Sequence, residues 1–192
     1  MSVKLPSTQT LKQFGTWQDV YYAACRTEGK EIPNKEPSKQ WKKRMLLSEH
    51  SPIRVIRFWI DFKNIKSWVI GHLVRHKIGA EHFVSTQRTD RTGVNRDDLP
   101  QSNPVDMLED QNAQALINVS RKRLCFLASP ETQVTWHTTV KAIVSECPEF
   151  ENVMVPDCVY RGHCFEMRSC GWFRTEEYKT EREKYVSQVN ND

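Results

Sequence analysis

Between Ile53 and Lys77 the hydrophobic period changes from two to about 3.6, and the segment ends on consecutive polar, mostly cationic side chains. From Ile53 to Phe62 the residues Ile56, Phe58, Ile60 and Phe62 share one face, with Arg54 interrupting the start; this predicts a half-buried strand. Ile65, Trp68, Val69, His72, Leu73 and His76 then recur at helical spacing. That spacing predicts a helix delivering Arg75, His76 and Lys77 at its C-terminal end. Three consecutive side chains cannot share a face of a helix or a strand, so this charge is not all spent on one solvated surface. Polyanionic phosphate is its natural partner. Taken singly, Arg75 and His76 would do no more than complement a helix dipole, worth about 0.3–1 kcal/mol each.

The remaining pattern predicts helices around this segment. Thr16 to Cys25 reads as a helix with Val20, Ala23 and Ala24 inward, followed by a polar loop from Glu28 to Lys35 broken by Gly29 and Pro33. A second helix starts near Pro37 and carries Trp41, Met45 and Leu46. Ile78 to Thr86 reads as a strand, Asp90 to Asp106 as a long loop, and Leu108 to Leu127 as a long helix. Ser129 as cap and Pro130 in the first turn start the next helix, with Val140, Ile143, Val144 and Cys147 as its apolar face and Pro148 as its stop. The expected organisation is one domain over residues 1–174 and a charged C-terminal tail, or late helix, over 175–192. The order of elements indicates an α+β fold.

Composition excludes several classes. Charged residues are 27% and hydrophobic residues 38%, so the chain is globular and not intrinsically disordered. No apolar run approaches the roughly 18 residues of a spanning helix and no signal peptide opens the chain, so the expectation is a cytoplasmic protein with no membrane partner. A net charge of +4 is too mild to imply a nucleic-acid polymer, but it suits small phosphorylated ligands held by local cations.

Arg75-His76-Lys77, seven residues, then Ser85 closely resembles the signature of the flavin-dependent thymidylate synthases, Arg-His-Arg, seven residues, Ser. Upstream, Ser48-Glu49-His50-Ser51-Pro52 resembles the family's Glu-His element. Downstream, Asn118 to Trp136 is similar to its late helix pair, through Arg121, Phe126, Leu127 and Trp136. The similarity spans residues 38 to 147. It implies an antiparallel sheet flanked by helices, assembled as a homotetramer. It implies FAD as cofactor, held by Arg75, His76 and Lys77 with His50 orienting flavin or folate. NADPH and methylenetetrahydrofolate would be co-substrates in the methylation of dUMP, or in a closely related modification of a deoxypyrimidine monophosphate. Ser85, Thr86, Gln87 and Arg88, with His72, Arg121 and Arg123, would bind that nucleotide; Ser85 and His50 are the candidate catalytic residues. Either Ser85 or Thr86 matches the family's hydroxyl.

The departures bear on function. Lys77 stands where the family has Arg and cannot form a planar bidentate fork. His72 replaces a usual Gln. The late helix ends Phe126-Leu127-Ala128-Ser129-Pro130, without the Arg that reaches the pyrimidine in the family. A non-catalytic or regulatory flavin- and nucleotide-binding homologue is therefore the alternative. Cys158, His163, Cys164 and Cys170, within thirteen residues broken by glycines, are candidate ligands of a tetrahedral zinc site, but their spacing fits no common finger and adjacent His163 and Cys164 rarely ligate one ion; ordinary thiols with no metal are the favoured reading. His72 and His76, four apart, read as coincidence rather than a metal pair.

Overall fold

The computed structural model describes residues 7–190, with side chains from 11 to 188. Four antiparallel strands form one sheet in the order β1-β2-β4-β3. They are β1 (Ser7–Phe14), β2 (Arg57–Lys66), β3 (Ala80–Val84) and β4 (Pro104–Asn112). Phe58, Ile60 and Phe62 of β2 face inward and are essentially buried, opposite Gln111, Glu109 and Met107 of β4. A register shift between Phe62 and Ile65, at Asn64 in the left-handed region, keeps both Phe62 and Ile65 in the core. The predicted strand is thus displaced. Ser51–Val55 form a 3₁₀ turn with Pro52 in its first turn, and β2 runs from Arg57 to Lys66.

The helices α1 (Trp17–Glu28), α2 (Lys39–Leu47), α3 (Ser67–Leu73), α5 (Ala113–Arg123) and α6 (Pro130–Glu146) supply the rest of the main core. Their starts follow capping chemistry. Thr16 and Asp19 form a capping box at α1, Ser38 caps α2, and Ser129 caps α6 just ahead of Pro130. Trp136 of α6 is fully buried and its indole N–H donates to Ser120 Oγ of α5 at 2.9 Å. The long loop expected over Asp90–Asp106 contains the one-turn helix α4 (Thr89–Thr92) and a 3₁₀ turn at Arg96–Asp98.

One expectation fails outright. Residues 108–112 are not helical; they complete β4, an inner strand bonded to both β2 and β3. Met-Leu-Glu-Asp-Gln contains good helix formers, but two ladders override that weak local preference. Asn112 ends the strand and caps α5, its side-chain oxygen accepting from Ala115 N at 2.9 Å.

At the C-terminus, α7 (Asp157–Arg161) and α8 (Glu176–Asn190) pack through a second cluster of Val155, Val159, Tyr178 and Tyr185. The charged end is a docked helix, held by its two buried tyrosines. The fold is α+β, and among the described residues no helix is long and apolar enough to cross a membrane.

Candidate functional site

The triplet Arg75-His76-Lys77 lies just beyond α3, in the turn that leads to β3. The helix closes with Val74 N donating to Ile70 O at 3.0 Å, and His76 N bonds back to Leu73 O at 3.0 Å. Gly79, at φ +76, then passes against the cap of α5: its carbonyl accepts from Asn112 N at 3.0 Å. A Cβ there would sit 2.5 Å from Asn112 Nδ2. Only glycine fits that turn comfortably.

Within the triplet the side chains diverge. Arg75 and Lys77 are exposed, whereas His76 turns inward and its Nε2 accepts from Arg123 Nε at 2.9 Å. Arg123 also donates to the His72 carbonyl at 2.6 Å. Burial, then the Arg123 guanidinium and His82, hold the His76 pKa down at about 4. It is therefore a neutral imidazole near neutral pH, with Nδ1 carrying its proton. His72 Nδ1 lies 2.8 Å from Thr132 Oγ1, and burial followed by Arg123 and Arg75 lowers its pKa too. Deeper, His82 Nε2 lies 2.7 Å from an oxygen of the fully buried Glu109. The atoms touch but are misaligned for a hydrogen bond, and the Gln111 amide beside them has no hydrogen-bond partner among the described residues.

Two clefts meet at α3. One, of about 350 Å³, runs between α3 and the segment from Val84 to Arg88, with Arg96 on its wall. The other, of about 340 Å³, is lined by Trp68, His72, Arg75 and Gln101. Ser67 and Gly71 belong to both. A Cβ on Gly71 would meet no other atom within 4 Å, so the shared wall stands clear of the protein. Among the described residues the ion pairs at this end engage Arg88 and Arg91 with Asp90, and not Arg75, Lys77 or Arg96.

The first cleft gathers Ser85, Thr86, Gln87 and Arg88 as a unit. Ser85 N donates to Asp106 O at 2.8 Å and Ser85 Oγ accepts from Asp106 N at 3.0 Å, so the side chain extends the β3–β4 pairing. No imidazole or carboxylate contacts that hydroxyl among the described residues. The arrangement supports positioning and not an activated nucleophile. Thr86 Oγ1 accepts from Arg88 N at 3.2 Å, and Arg88 makes a side-on pair with Asp90 at 2.9 and 2.8 Å. Gln87 Nε2 is buried on the cleft wall with no hydrogen-bond partner among the described residues.

Other expected site residues lie elsewhere. His50 caps the 3₁₀ turn and lines a separate cleft of about 580 Å³ with Trp41 and Arg44 of α2. Lys77 lines neither cleft at α3. Arg121 is engaged by the Glu49 carboxylate, by Asn118 Oδ1 at 3.2 Å, and lies 3.5 Å over the Tyr160 ring. Neither Arg121 nor Arg123 lines either cleft; residues two apart on a helix point to different sides, and Arg123 faces His76, which lines neither cleft itself. Ser67, Gly71, Arg96 and Gln101 went unread as site residues; Arg96 and Gln101 sit in the long loop whose length was the only signal.

Among the described residues no three His, Cys, Asp or Glu groups stand in a metal-holding arrangement. His72 turns to Thr132 and His76 to Arg123, and His163 packs its ring against Phe165 and Phe173. The three cysteines Cys158, Cys164 and Cys170 do line a common cavity, with Cys125 as a fourth.

No family model and no curated protein sequence matches the chain. Solved structures do. The UMP/dUMP methylase PolB from Streptomyces cacaoi, bound with 5-Br dUMP, superposes with a TM-score of 0.59 at 13% identity, over 75% of this chain and 93% of PolB. Thymidylate synthase X (ThyX) from Helicobacter pylori, with FAD and dUMP, superposes with a TM-score of 0.59 at 12% identity, over 78% of this chain and 99% of that enzyme. The chain has the ThyX fold. At 12–13% identity the likeness lies in the backbone path, so the chemistry of the α3 clefts has to be argued from their own residues.

Proposed function

We propose that this chain binds FAD and a deoxypyrimidine monophosphate in the two clefts at α3 and transfers a one-carbon unit to the pyrimidine, as in the methylation of dUMP. The observation that carries this reading is the pair of adjoining clefts walled by cations that have no ion-pair partner among the described residues, Arg75 in one and Arg96 in the other. The solved ThyX and PolB structures carry dUMP or its 5-bromo analogue, which favours the same ligand class here. The residues fit phosphorylated ligands on their own chemistry. Arg75 offers a fork of donors, Gln87 Nε2 is a buried donor still without a partner, and Gly71 keeps the dividing wall low.

Arg75 and His72 would face the flavin's phosphates. Ser85, Thr86, Arg88 and Arg96 would hold the nucleotide phosphate, with Arg88 exchanging its exposed Asp90 partner for it. When bound, the flavin supplies electron transfer from NADPH, and methylenetetrahydrofolate supplies the carbon. The chain's own part is orientation and charge complementation. His76 takes no proton at neutral pH; it fixes Arg123, which in turn holds the last turn of α3 by the His72 carbonyl. Lys77 would add only a point charge.

Titrating flavin into the wild type and Arg75→Ala tests the cofactor half. Loss of charge-assisted bonds worth about 1.5–3 kcal/mol each lowers affinity about tenfold or more. Equal affinities overturn the assignment. Calorimetry with dUMP, dCMP and deoxyuridine tests the nucleotide half, and a nucleoside binding as tightly as either monophosphate sinks it.

The non-catalytic reading has one observation in its favour. Arg121 and Arg123 are both committed within the chain, so neither stands ready to replace the absent base-reading arginine. A yellow protein that oxidises NADPH faster with dUMP present supports catalysis; one that binds both ligands without that acceleration supports the alternative.

A further inference from the structure

The loop between α7 and α8 holds its place without main-chain support. Among the described residues, none from 162 to 170 makes a backbone–backbone hydrogen bond. Nor is it pinned by apolar burial: Met167 is fully exposed and Phe165 is 57% exposed. Left-handed glycines, Gly162 at φ +80 and Gly171 at φ +86, bound the segment. A stretch of that kind ordinarily pays too much conformational entropy to stay put unless something cross-links it.

Beneath it lies a cavity of about 20 Å³, room for one water-sized guest. Four of the chain's six cysteines line it. Cys125 follows α5, Cys158 is in α7, and Cys164 and Cys170 are on the loop itself. Cys125 lies within electrostatic reach of Cys164 and Cys170, and Cys158 within reach of Cys125 and Cys164. Three separate segments deliver four soft ligands to one small space. The remaining two cysteines, Cys25 and Cys147, are buried elsewhere.

We propose that Cys125, Cys158, Cys164 and Cys170 form a structural tetrathiolate site for one zinc ion, which staples the loop to α5 and α7. Zinc takes four thiolates in a tetrahedron at about 2.3 Å. Binding displaces four thiol protons to solvent and leaves the centre with two negative charges. On the rim Lys122 lies 3.2 Å from Glu166 and 3.8 Å from Asp157. In this conformation no three of the sulfurs stand in ligating arrangement around one point. Drawing Cys164 and Cys170 towards Cys125 and Cys158 breaks no main-chain hydrogen bond in 162–170. His163 is left out of the site because it does not line the cavity; its ring packs against Phe165 and Phe173 at centroid distances of 5.6 and 4.7 Å.

The test is elemental analysis of the full chain purified without chelator, with cobalt(II) titration of protein stripped of metal. About one zinc per chain and the visible absorption of tetrahedral tetrathiolate cobalt are expected. Cys125→Ser should lose the bound metal almost entirely, while Cys25→Ser and His163→Ala retain it. Wild-type protein that contains no zinc and takes up no cobalt overturns the proposal, whether or not the variants fold. So does an intact mass short by two or four hydrogens, which reports disulfides, and so does metal loss in His163→Ala with retention in Cys125→Ser.

Discussion

His76 spends its one available ring lone pair on Arg123, and this has a consequence for stability. In the unfolded chain a histidine takes a proton near pH 6.5; folded, His76 does so only at about 4. The unfolded state therefore binds more protons between those values, and stability falls as pH is lowered through that window. Above about 6.5 the group contributes no slope. His72 and His137 are lowered as well, mainly by burial, and steepen the same fall. Melting temperature should drop between pH 6.5 and 4, and His76→Gln should flatten the fall while keeping an acceptor for Arg123. An unchanged slope in the variant would show that His76 does not titrate this way. The triplet was legible in the sequence as a concentration of charge whose members must diverge. Which member turns inward was not, because that is decided by Arg123, 47 positions downstream.

At the scale of elements, one cap was legible and the central strand was not. Ser129 announced its helix because capping is local chemistry, whereas Thr16 and Ser38 emerge as caps only in the structure. β4 was hidden because buried Glu109 and Gln111 occupy inward positions that a hydrophobic pattern would fill with aliphatics. β1 escaped because its Leu11 and Phe14 are too few to make an alternation in a polar stretch at the sheet edge. The turn from α3 to β3 offers a sharp test. Gly29 and Gly79 both have positive φ, but a Cβ on Gly29 meets nothing within 4 Å, whereas one on Gly79 collides with the Asn112 amide. Gly29→Ala should cost about 1 kcal/mol, for the left-handed backbone alone. Gly79→Ala adds the disturbed cap of α5, about another 0.5–2 kcal/mol. Chemical denaturation of the two variants measures the difference. Equal midpoints would mean the Asn112 contact relaxes freely.

For the whole molecule, the clefts at α3 are open, and a flavin dinucleotide is too large to be enclosed by about 350 Å³ of space in one chain. Beside them Ile78 is 89% exposed, Phe83 60% and Val84 44%, an apolar run immediately after the cationic triplet. Phe83 pairs with Leu108 and Trp59 with Asp110, so Phe83 and Trp59, the latter 41% exposed, share the outer face of the sheet, opposite the main core. Exposed aromatics on a sheet face next to a binding cleft are the composition of an interface. The site is thus expected to be completed between subunits; the family resemblance implies about four chains per particle, arranged around two-fold axes. Arg121 is not the residue that crosses, since Glu49 and Tyr160 hold it within its own chain. The apolar run next to Arg75 is the better candidate. Light scattering at micromolar concentration should report the assembly, and Ile78→Lys with Phe83→Lys should shift it towards single chains and weaken flavin binding together. Arg75→Ala should weaken flavin binding while leaving the assembly intact, which separates the loss of a contact from the loss of a neighbour. A monomeric double-lysine variant that binds flavin as tightly as the wild type would exclude a shared site.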